Sequence, residues 1–468
     1  MTAKTKTLWA FILSSMAIFM AMLDNLVVTT ALPVIKQELG GGIETLEWTL
    51  NAYTLTFAVL LLTGAALGDR FGRRRMFIIG IGLFTLGSAA AALAPSTHAL
   101  IAARAIQGIG GAILTPLSLT ILTDAVPAEK RGMALGAWGG IAGLAIAIGP
   151  LVGGAVTQGI AWQWIFWINV PLGLLTLALA KARLEESYGP NRRLDLPGVA
   201  LTSIGLTGLV WALVRGNAAG WGSIEIIGAA IIGLAGLAGF VAWELRAPAP
   251  MLPMTFFRSR TFAAANAASL AMYFGMFGTV FLLTQFLQLV MGYSPFEAGL
   301  RTLPWTAMPL VITPLAGALS DKIGGRPIMA FGLTLDAIAF GWMATVVSPD
   351  TPYAQLVPAL VLAGIGTASF MAPVANAVMG SVRPEQAGQA SGATNAIREM
   401  GGVLGVAVLA AVFSGHGDYT TPSAFASGFK PALILAVFAM AIGVAAALMI
   451  PRHNREATAL VPVLQPAT

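Results

Sequence analysis

Hydrophobic residues come in long blocks along this chain, separated by short polar segments. A helix needs about 20 mostly apolar residues to cross a bilayer. Fourteen blocks approach or exceed that length: 8–33, 47–68, 76–95, 98–124, 133–157, 164–180, 196–214, 223–244, 262–290, 297–319, 327–347, 354–379, 388–413 and 430–450. The pattern predicts an all-α polytopic membrane protein with 14 transmembrane helices. An even number of crossings puts both termini on one side.

Two of the polar segments are near-copies. Gly64–Arg75 reads Gly-Ala-Ala-Leu-Gly-Asp-Arg-Phe-Gly-Arg-Arg-Arg, and Gly317–Arg326 reads Gly-Ala-Leu-Ser-Asp-Lys-Ile-Gly-Gly-Arg. Aligning Asp69 with Asp321 also pairs Leu67 with Leu319, Gly72 with Gly324, Arg70 with Lys322 and Arg74 with Arg326. Farther along, Gly108-Ile109-Gly110 matches Gly364-Ile365-Gly366, and Gly132, Ala134, Gly136 and Gly149 match Gly388, Ala390, Gly392 and Gly405. The two halves are therefore homologous and in register. Six helices with loops take roughly 180–190 residues, so the excess fits two helices inserted between the halves. Parallel six-helix repeats are the architecture of one large transporter class. The chain divides into an N-terminal six-helix bundle (1–180), two inserted helices with linkers (181–260), a C-terminal six-helix bundle (261–451) and a tail (452–468).

Composition agrees with a membrane protein. Of 468 residues, 57% are hydrophobic and 10% charged, with mean hydropathy +0.81; soluble domains carry about 25% charged residues. The net charge of +6 reflects topology rather than a nucleic-acid partner, because 20 of the 26 Lys and Arg fall in loops on the side of the N-terminus. The positive-inside rule then predicts a cell-membrane protein with both termini and the tail in the cytoplasm. There is no cysteine, which excludes disulfides and thiolate metal sites. His98, His416 and His453 lie at predicted helix ends or in loops and build neither a triad nor a metal cluster. No Walker-type run offers ATP as an energy source. The first apolar block runs past Asp24 without a cleavage pattern and reads as an uncleaved helix. These features predict a non-enzyme without metal or organic cofactor.

Against this background the intramembrane charges stand out. Asp24 lies about 9 residues, roughly 14 Å, from the outer end of the first span. A carboxylate at that depth costs several kcal/mol unless it is protonated, paired or facing a wet cavity. Proton and cationic substrate would compete for such a group, as antiport requires; the alternative is a packing carboxyl bonded to a neighbouring hydroxyl. Arg104 lies at similar depth in the fourth span. Neither residue has a counterpart in the second half: Leu360 aligns with Arg104, and the window Met276–Val280 holds no acid. That asymmetry assigns the coupling chemistry to the N-terminal half. In the C-terminal half Asp336 lies in mid-span, and so do Arg398 and Glu399, which point about 100° apart. Glu399 is either a second cation site or half of an ion pair that locks helices together. Asp336 is either a binding group or a partner for one neighbour.

Other features carry no reactive group. Gly149-Pro150 with Gly153-Gly154 permits close helix approach and a bend, either a gate against leak or ordinary packing. Asp69, Arg70, Arg73, Arg74 and Asp124, with Asp321 and Arg326 in the repeat, form a candidate conformational latch: Asp69 pairs with an arginine of its own loop or caps a neighbouring helix end, Asp124 is a partner for the arginines, and such pairs hold the two halves together on the cytoplasmic side; the alternative is charge that fixes topology alone. With 11 Trp, 23 Phe and 19 Met, the chain has surface suited to lipophilic or cationic organic molecules. Trp48, Tyr53, Tyr273, Phe277, Gln285 and Gln288 are candidate cavity walls, the two glutamines three apart on one helical face.

Several of these stretches resemble motifs of the fourteen-helix drug–proton antiporter branch of the major facilitator superfamily. Gly64–Arg75 is similar to its cytoplasmic loop motif, with Ala65 where the first glycine usually stands. Leu23-Asp24 through Ala31-Leu32-Pro33 resembles its first-helix motif, with Leu26 and Thr29 as departures. Arg104, Gln107, Gly108 and Gly110 resemble its fourth-helix motif, and Gly149–Gly154 its fifth-helix antiporter motif. Trp162–Phe166 through Asn169-Val170-Pro171 is close to a branch signature, with Gln163 in place of Arg. Glu399 stands where the family usually has Gln.

The resemblance implies a proton-coupled, multidrug-type exporter of lipophilic and cationic compounds, working by alternating access of two six-helix bundles. In it Arg104 tunes Asp24 or relays its charge change. Protons serve as coupling ion, membrane lipids surround a protein expected to be monomeric, and no nucleic acid takes part. Export of one endogenous metabolite or antibiotic is the alternative. A lipid-flipping or sensory protein on a transporter-like fold is a third reading, against which Asp24, Arg104 and the Gly149-Pro150 bend together argue.

Overall fold

A computed structural model describes residues 3–127, 131–188, 195–248, 250–383 and 386–451. The proposed tail over 452–468 lies outside the described residues. Among these residues the chain is helical throughout, without a strand. The helices of the N-terminal half are α1 (Ala3–Leu39), α2 (Ile43–Phe71), α3 (Arg73–Ala92), α4 (Thr97–Ala125), α5 (Arg131–Gly159), α6 (Trp164–Trp167) and α7 (Asn169–Arg183). The inserted pair is α8 (Leu196–Ala219) and α9 (Ile224–Glu244). The C-terminal half has α10 (Arg260–Gln285), continued by a π-helical turn Phe286–Val290, then α11 (Pro295–Thr306), α12 (Met308–Ile323), α13 (Gly325–Val346), α14 (Tyr353–Met379), α15 (Ala387–His416) and α16 (Pro422–Leu448). Thirteen of the described helices or joined helices are long and apolar enough to cross a membrane, and up to 14 when α2, bent by 52° between Leu61 and Thr63, counts as one span. The sixth span is α6 with α7, and the tenth is α11 with α12.

Helix starts and stops follow local chemistry. Ser96, Asp195, Ser223, Ser259, Ser294 and Thr421 cap α4, α8, α9, α10, α11 and α16 by accepting a backbone N–H, which satisfies a donor that the helix leaves open. The duplicated glycines have a conformational reason. Gly72 and Gly324 both take positive φ, +104° and +87°, at the turn between two helices, a backbone that side chains with a Cβ resist. A Cβ at Gly72 would also lie 2.6 Å from the Glu186 carboxylate.

Within the N-terminal bundle α4 packs on α2 and α3, and α1 on α5; in the C-terminal bundle α10 packs on α15 and α16, and α13 on α14 and α16. The two bundles meet along two seams, α5 against α11 and α2 against α15. The pair α8–α9 lies beside the second seam, where Leu206, Val210 and Val214 pack with Leu55, Val59, Val403 and Ala407. Arg215 of α8 bonds Glu44 at 2.9 Å, and Asn217 donates to the Ala411 carbonyl at 2.5 Å. The inserted helices thus bridge both halves at the end of the molecule remote from the termini.

Candidate functional site

The Asp24 neighbourhood is assembled from five helices. The Asp24 carboxylate accepts from Arg104 Nη1 of α4 on one oxygen, and on the other from Gln107 Nε2 at 2.7 Å and Asn169 Nδ2 of α7 at 2.9 Å. Arg104 donates further to the Gln107 side chain at 2.7 Å and to the Thr49 carbonyl of α2 at 3.2 Å. Gln107 Nε2 also donates to Ser88 of α3 at 2.8 Å. The guanidinium lies 4.4 Å from the centre of the Tyr53 ring and 5.7 Å from that of Phe166. Asp24, Arg104 and Gln107 are each 0% exposed, so this is an ion pair closed off from water on every side. Removing one partner of such a pair costs more than the pair itself contributes, because the other charge stays buried.

Small residues bring α4 this close. A Cβ at Gly108 would lie 2.4 Å from the Tyr53 carbonyl, and one at Gly110 2.4 Å from the Phe84 amide nitrogen. Local order also holds α6–α7 in place, since Trp162 is buried and donates to Glu38 of α1 at 2.7 Å. Asn169, the first residue of α7, then meets α1 at Asp24.

Between the bundles lies a cavity of about 250 Å³. Met22, Asn25, Leu26 and Thr29 of α1, Phe57 of α2, and Trp138 and Pro150 of α5 line it from the N-terminal half. Tyr273 and Phe277 of α10, Trp305 of α11, Thr367 of α14, and Asn395, Arg398 and Glu399 of α15 line it from the other. Arg398 extends over the Tyr273 ring at 5.6 Å and makes a long, 3.5 Å hydrogen bond to Asn395. Among the described residues no ion pair or hydrogen bond engages the Glu399 carboxylate, so the two neighbours do not form a lock between helices. The cavity thus presents one carboxyl and one guanidinium in a wall that is otherwise aromatic, apolar, amide and hydroxyl.

Asp24 does not line this cavity; it sits one residue behind the wall formed by Asn25. Asp336 is likewise set back. It is buried, accepts from Thr367 at 3.3 Å, and its second oxygen has no partner among the described residues, while Thr367 faces the cavity.

Of the six proposed wall residues, Tyr273 and Phe277 line the cavity and four do not. Trp48 faces outward and packs on Trp211 of α8, ring centres 5.8 Å apart. Tyr53 stacks on Phe57 and lies under Arg104. Gln285 donates to Phe281 at 2.8 Å and accepts from Tyr419 at 2.6 Å, and Gln288 donates to the Thr30 carbonyl at 2.9 Å. The π turn begins just after Gln285 and ends the expected single face; Gln288 ties α10 to α1 across the two halves, while Gln285 holds Tyr419 within the C-terminal half.

The basic loop makes the expected pairings of Asp69 and Asp124 with a loop arginine, but not the expected link between the halves. Arg73 pairs with both Asp69, at 2.9 Å, and Asp124, and Arg74 Nε lies 3.8 Å from Glu186, whose carboxylate accepts the Arg74 and Arg75 backbone N–H groups. A carboxylate at the first turn of α3 complements the helix dipole. These ties join α2, α3, α4 and the segment after α7, all in the N-terminal half, so in this conformation they do not bridge the two halves. Arg70 is exposed, with its own neighbour Phe71 at 5.0 Å. In the repeat, Arg326 forms no ion pair among the described residues, and the Asp321 side chain lies outside them. Glu186, Ser88 and Thr49 were not candidates; each contacts the site across many residues of chain, which motif spacing does not reveal.

Packing of the seams defines the conformation. On the half of α5 remote from the termini, a Cβ at Gly153 would lie 2.4 Å from the Val27 carbonyl and one at Gly154 2.2 Å from the Pro295 carbonyl. A Cβ at Gly299 of α11 would likewise lie 2.2 Å from the Pro150 carbonyl, and one at Gly149 2.8 Å from the Leu26 side chain. On the other half of α5, Gly139, Gly140 and Gly143 have nothing within 4 Å of a Cβ position. The cavity is therefore closed at the remote end and parted at the end that bears the Arg-rich loops.

The sequence matches the profile of the Major Facilitator Superfamily over residues 14–406 and again over 267–463. It is 38% identical over 410 residues to the multidrug resistance protein Stp of Mycobacterium tuberculosis (strain CDC 1551 / Oshkosh), covering 87% of this chain and 76% of that one. It is 36% identical over 455 residues to the cephamycin export protein CmcT of Amycolatopsis lactamdurans, covering 95% and 93%. The fold aligns with the crystal structure of a POT family transporter in complex with a thioalcohol conjugated peptide at a TM-score of 0.70, with 14% identity and coverage of 94% of this chain and 95% of that one.

Proposed function

We propose, for a chain that belongs to the Major Facilitator Superfamily, that it is a proton-driven exporter of small lipophilic organic compounds, cations among them. It acts in the cell membrane with both termini in the cytoplasm, and needs no cofactor beyond the proton. The observation that carries this reading is the sealed Asp24–Arg104 pair one residue behind the cavity wall. When the remote seam opens, a proton reaches Asp24, neutralises it and frees Arg104 to lean on Gln107 and the Thr49 carbonyl. That rearrangement moves α1 and α4, whose neighbouring residues form the wall, and substrate leaves. After the bundles rock, the proton departs to the cytoplasm and the pair re-forms. Glu399 serves the substrate rather than the proton, offering a carboxylate to a cationic group between Tyr273 and Phe277. The membrane potential supplies about 2.3 kcal/mol per net charge per 100 mV.

Export as the direction is supported by the relatives, both named for resistance or export. CmcT is named for a single antibiotic class, which favours, as a second reading, a dedicated exporter of one metabolite or antibiotic. A compound panel separates the two by counting substrates. The coupling proposal is tested with Asp24→Asn in proteoliposomes bearing a pH gradient. Gradient-driven accumulation should vanish while substrate exchange without a gradient persists. Full gradient-driven transport by the variant would refute it.

A further inference from the structure

The seal above the cavity has a polar half. Thr30 and Gln288, and Gln285 and Tyr419, are hydrogen-bonded across or beside the junction of α1, α10 and the loop before α16, and Lys36 Nζ stands 4.0 Å from the centre of the Tyr419 ring. Into this region α2 brings Glu47 and, one turn on, Asn51. Both are buried, at 1% and 0% exposure. Among the described residues, Glu47 Oε2 and both polar atoms of the Asn51 side chain have no hydrogen-bond partner. At 100° per residue, the two lie on the sector of α2 between Leu55 and Val59, which pack on α15, and Phe57 and Leu61, which line the cavity. They therefore face the second half of the molecule. Buried polar atoms are nearly always satisfied, so three unsatisfied ones in a closed seam mark a group whose proper partner belongs to another state.

We propose that Glu47 is a second proton-binding site, which takes up a proton as the seam between α2 and the C-terminal half closes and gives it back when the seam opens to water. The proposal rests on the alternating-access reading above. An unpaired carboxylate does not fit a water-free seam, whereas the acid does. The charged and titratable groups around it are few. Glu44, on the same helix, is held by Arg215 of α8. From the loop comes Tyr419, whose phenol is pushed up by burial first and by the nearness of Glu47 next, against the hydrogen bond to Gln285. From α1 comes Lys36, which faces the Tyr419 ring. His416, at the end of α15, bonds Val412 and is exposed, and Asp418 turns to Thr420. Among the described residues no cation pairs with Glu47. The site makes closing of the remote gate a proton-consuming step, separate from the Asp24 pair on the opposite face of α2.

The chain lacks cysteine, so two spin labels at Gln37→Cys and Thr420→Cys, exposed positions on either side of the seam, report its width in lipid nanodiscs. The measurement is made without substrate in an Asp24→Asn background, so that its outcome does not depend on coupling at Asp24. Between pH 8.5 and 5.5 the closed-to-open ratio should rise, by up to about tenfold per pH unit for one proton. Glu47→Gln should hold the closed distance throughout. Glu47→Leu, offered in case the amide variant does not fold, should do the same. A pH-independent distance in the parent, or an undiminished shift in either folded Glu47 variant, overturns the proposal.

Discussion

Replacing the two members of the Asp24–Arg104 pair singly and together gives the most direct measure of what the site costs. In Asp24→Asn the guanidinium keeps Gln107 Oε1 and the Thr49 carbonyl but loses its counter-charge. The new amide cannot satisfy all its neighbours either, because one oxygen must serve Arg104 or the donors Gln107 and Asn169. Arg104→Met leaves a carboxylate with two amide donors and no cation. Each single change strands a buried charge, at a cost of about 3–5 kcal/mol. The double variant carries no charge; it leaves Gln107 Oε1 and one amide orientation imperfect, about 2–6 kcal/mol at 1–3 per unsatisfied group. If the changes were independent, the double variant would lose about 6–10 kcal/mol. Unfolding free energies in mixed detergent micelles decide between the two. A double variant whose loss equals the sum within about 0.5 kcal/mol would refute the claim that these side chains act as one buried unit.

Other expectations follow from the cavity, the seam and the insert. Glu399→Gln should weaken the apparent affinity for cationic dyes by about tenfold, the effect of losing roughly 1.5 kcal/mol from one charge-assisted contact, and leave uncharged lipophilic probes unaffected in efflux assays. Gly154→Val adds atoms where a Cβ already lies 2.2 Å from the Pro295 carbonyl, and overpacking of this kind costs about 1–3 kcal/mol. The remote seam should then stand open, and a cysteine introduced at Thr30 should react with reagent added from that side. Asp195 caps α8 and accepts from Gly198, Trp243 and Met251. Burial alone would raise its carboxyl, but the neighbouring Glu244 side chain and these donors hold it below the usual range. Its contribution is therefore complete above the unfolded value near pH 4 and disappears as pH falls through the lower folded value. Asp195→Ala should cost about 1 kcal/mol at pH 7 and lose that deficit in acid, as read by unfolding at each pH.

Span positions were legible because block length alone decides whether a segment crosses a bilayer. The bend in α2 and the π turn after α10 were not, since each depends on what packs against the helix. Asp24 and Arg104 stood out because a charge in mid-span has few explanations, and Gln107 and Asn169 were visible only inside motifs. Their convergence on one carboxylate is set by how α4 and α7 pack on α1, across 83 and 145 residues. The wall residues divide for a physical reason. Aromatic side chains on α10 facing α15 line a cavity wherever the bundles part. A glutamine in a span is equally suited to lining water or to bonding a neighbouring group, and Gln288 bonds a carbonyl across the seam while Gln285 bonds its own helix and Tyr419. Glu47 drew no attention because it stands at the first turn of its apolar block, where an acid reads as an ordinary interfacial residue. Only its 1% exposure makes it unusual.

The duplication separates what the fold demands from what transport demands. Gly72 and Gly324 recur because both turns need positive φ, whichever half they serve. Gly149 and Gly405 recur because each lets another helix approach closely, α1 at Leu26 in one half and α10 at Phe274 in the other, where a Cβ on Gly405 would lie 2.1 Å from the Phe274 carbonyl. The Asp24–Arg104 pair does not recur. What stands in the C-terminal half is a lone Asp336 behind Thr367 and a Glu399 on the wall. A symmetric machine with a carboxylate–guanidinium pair in each half would move two identical charges together and could not distinguish substrate from proton by position. In the coupling proposed above, the sealed pair in one half and the open carboxylate in the other would give the two ligands different groups to meet. Under the proposed alternating access, rocking of the bundles would change the surroundings of both at once, and each ligand would sense the other through the movement of α1 and α15 rather than by direct displacement.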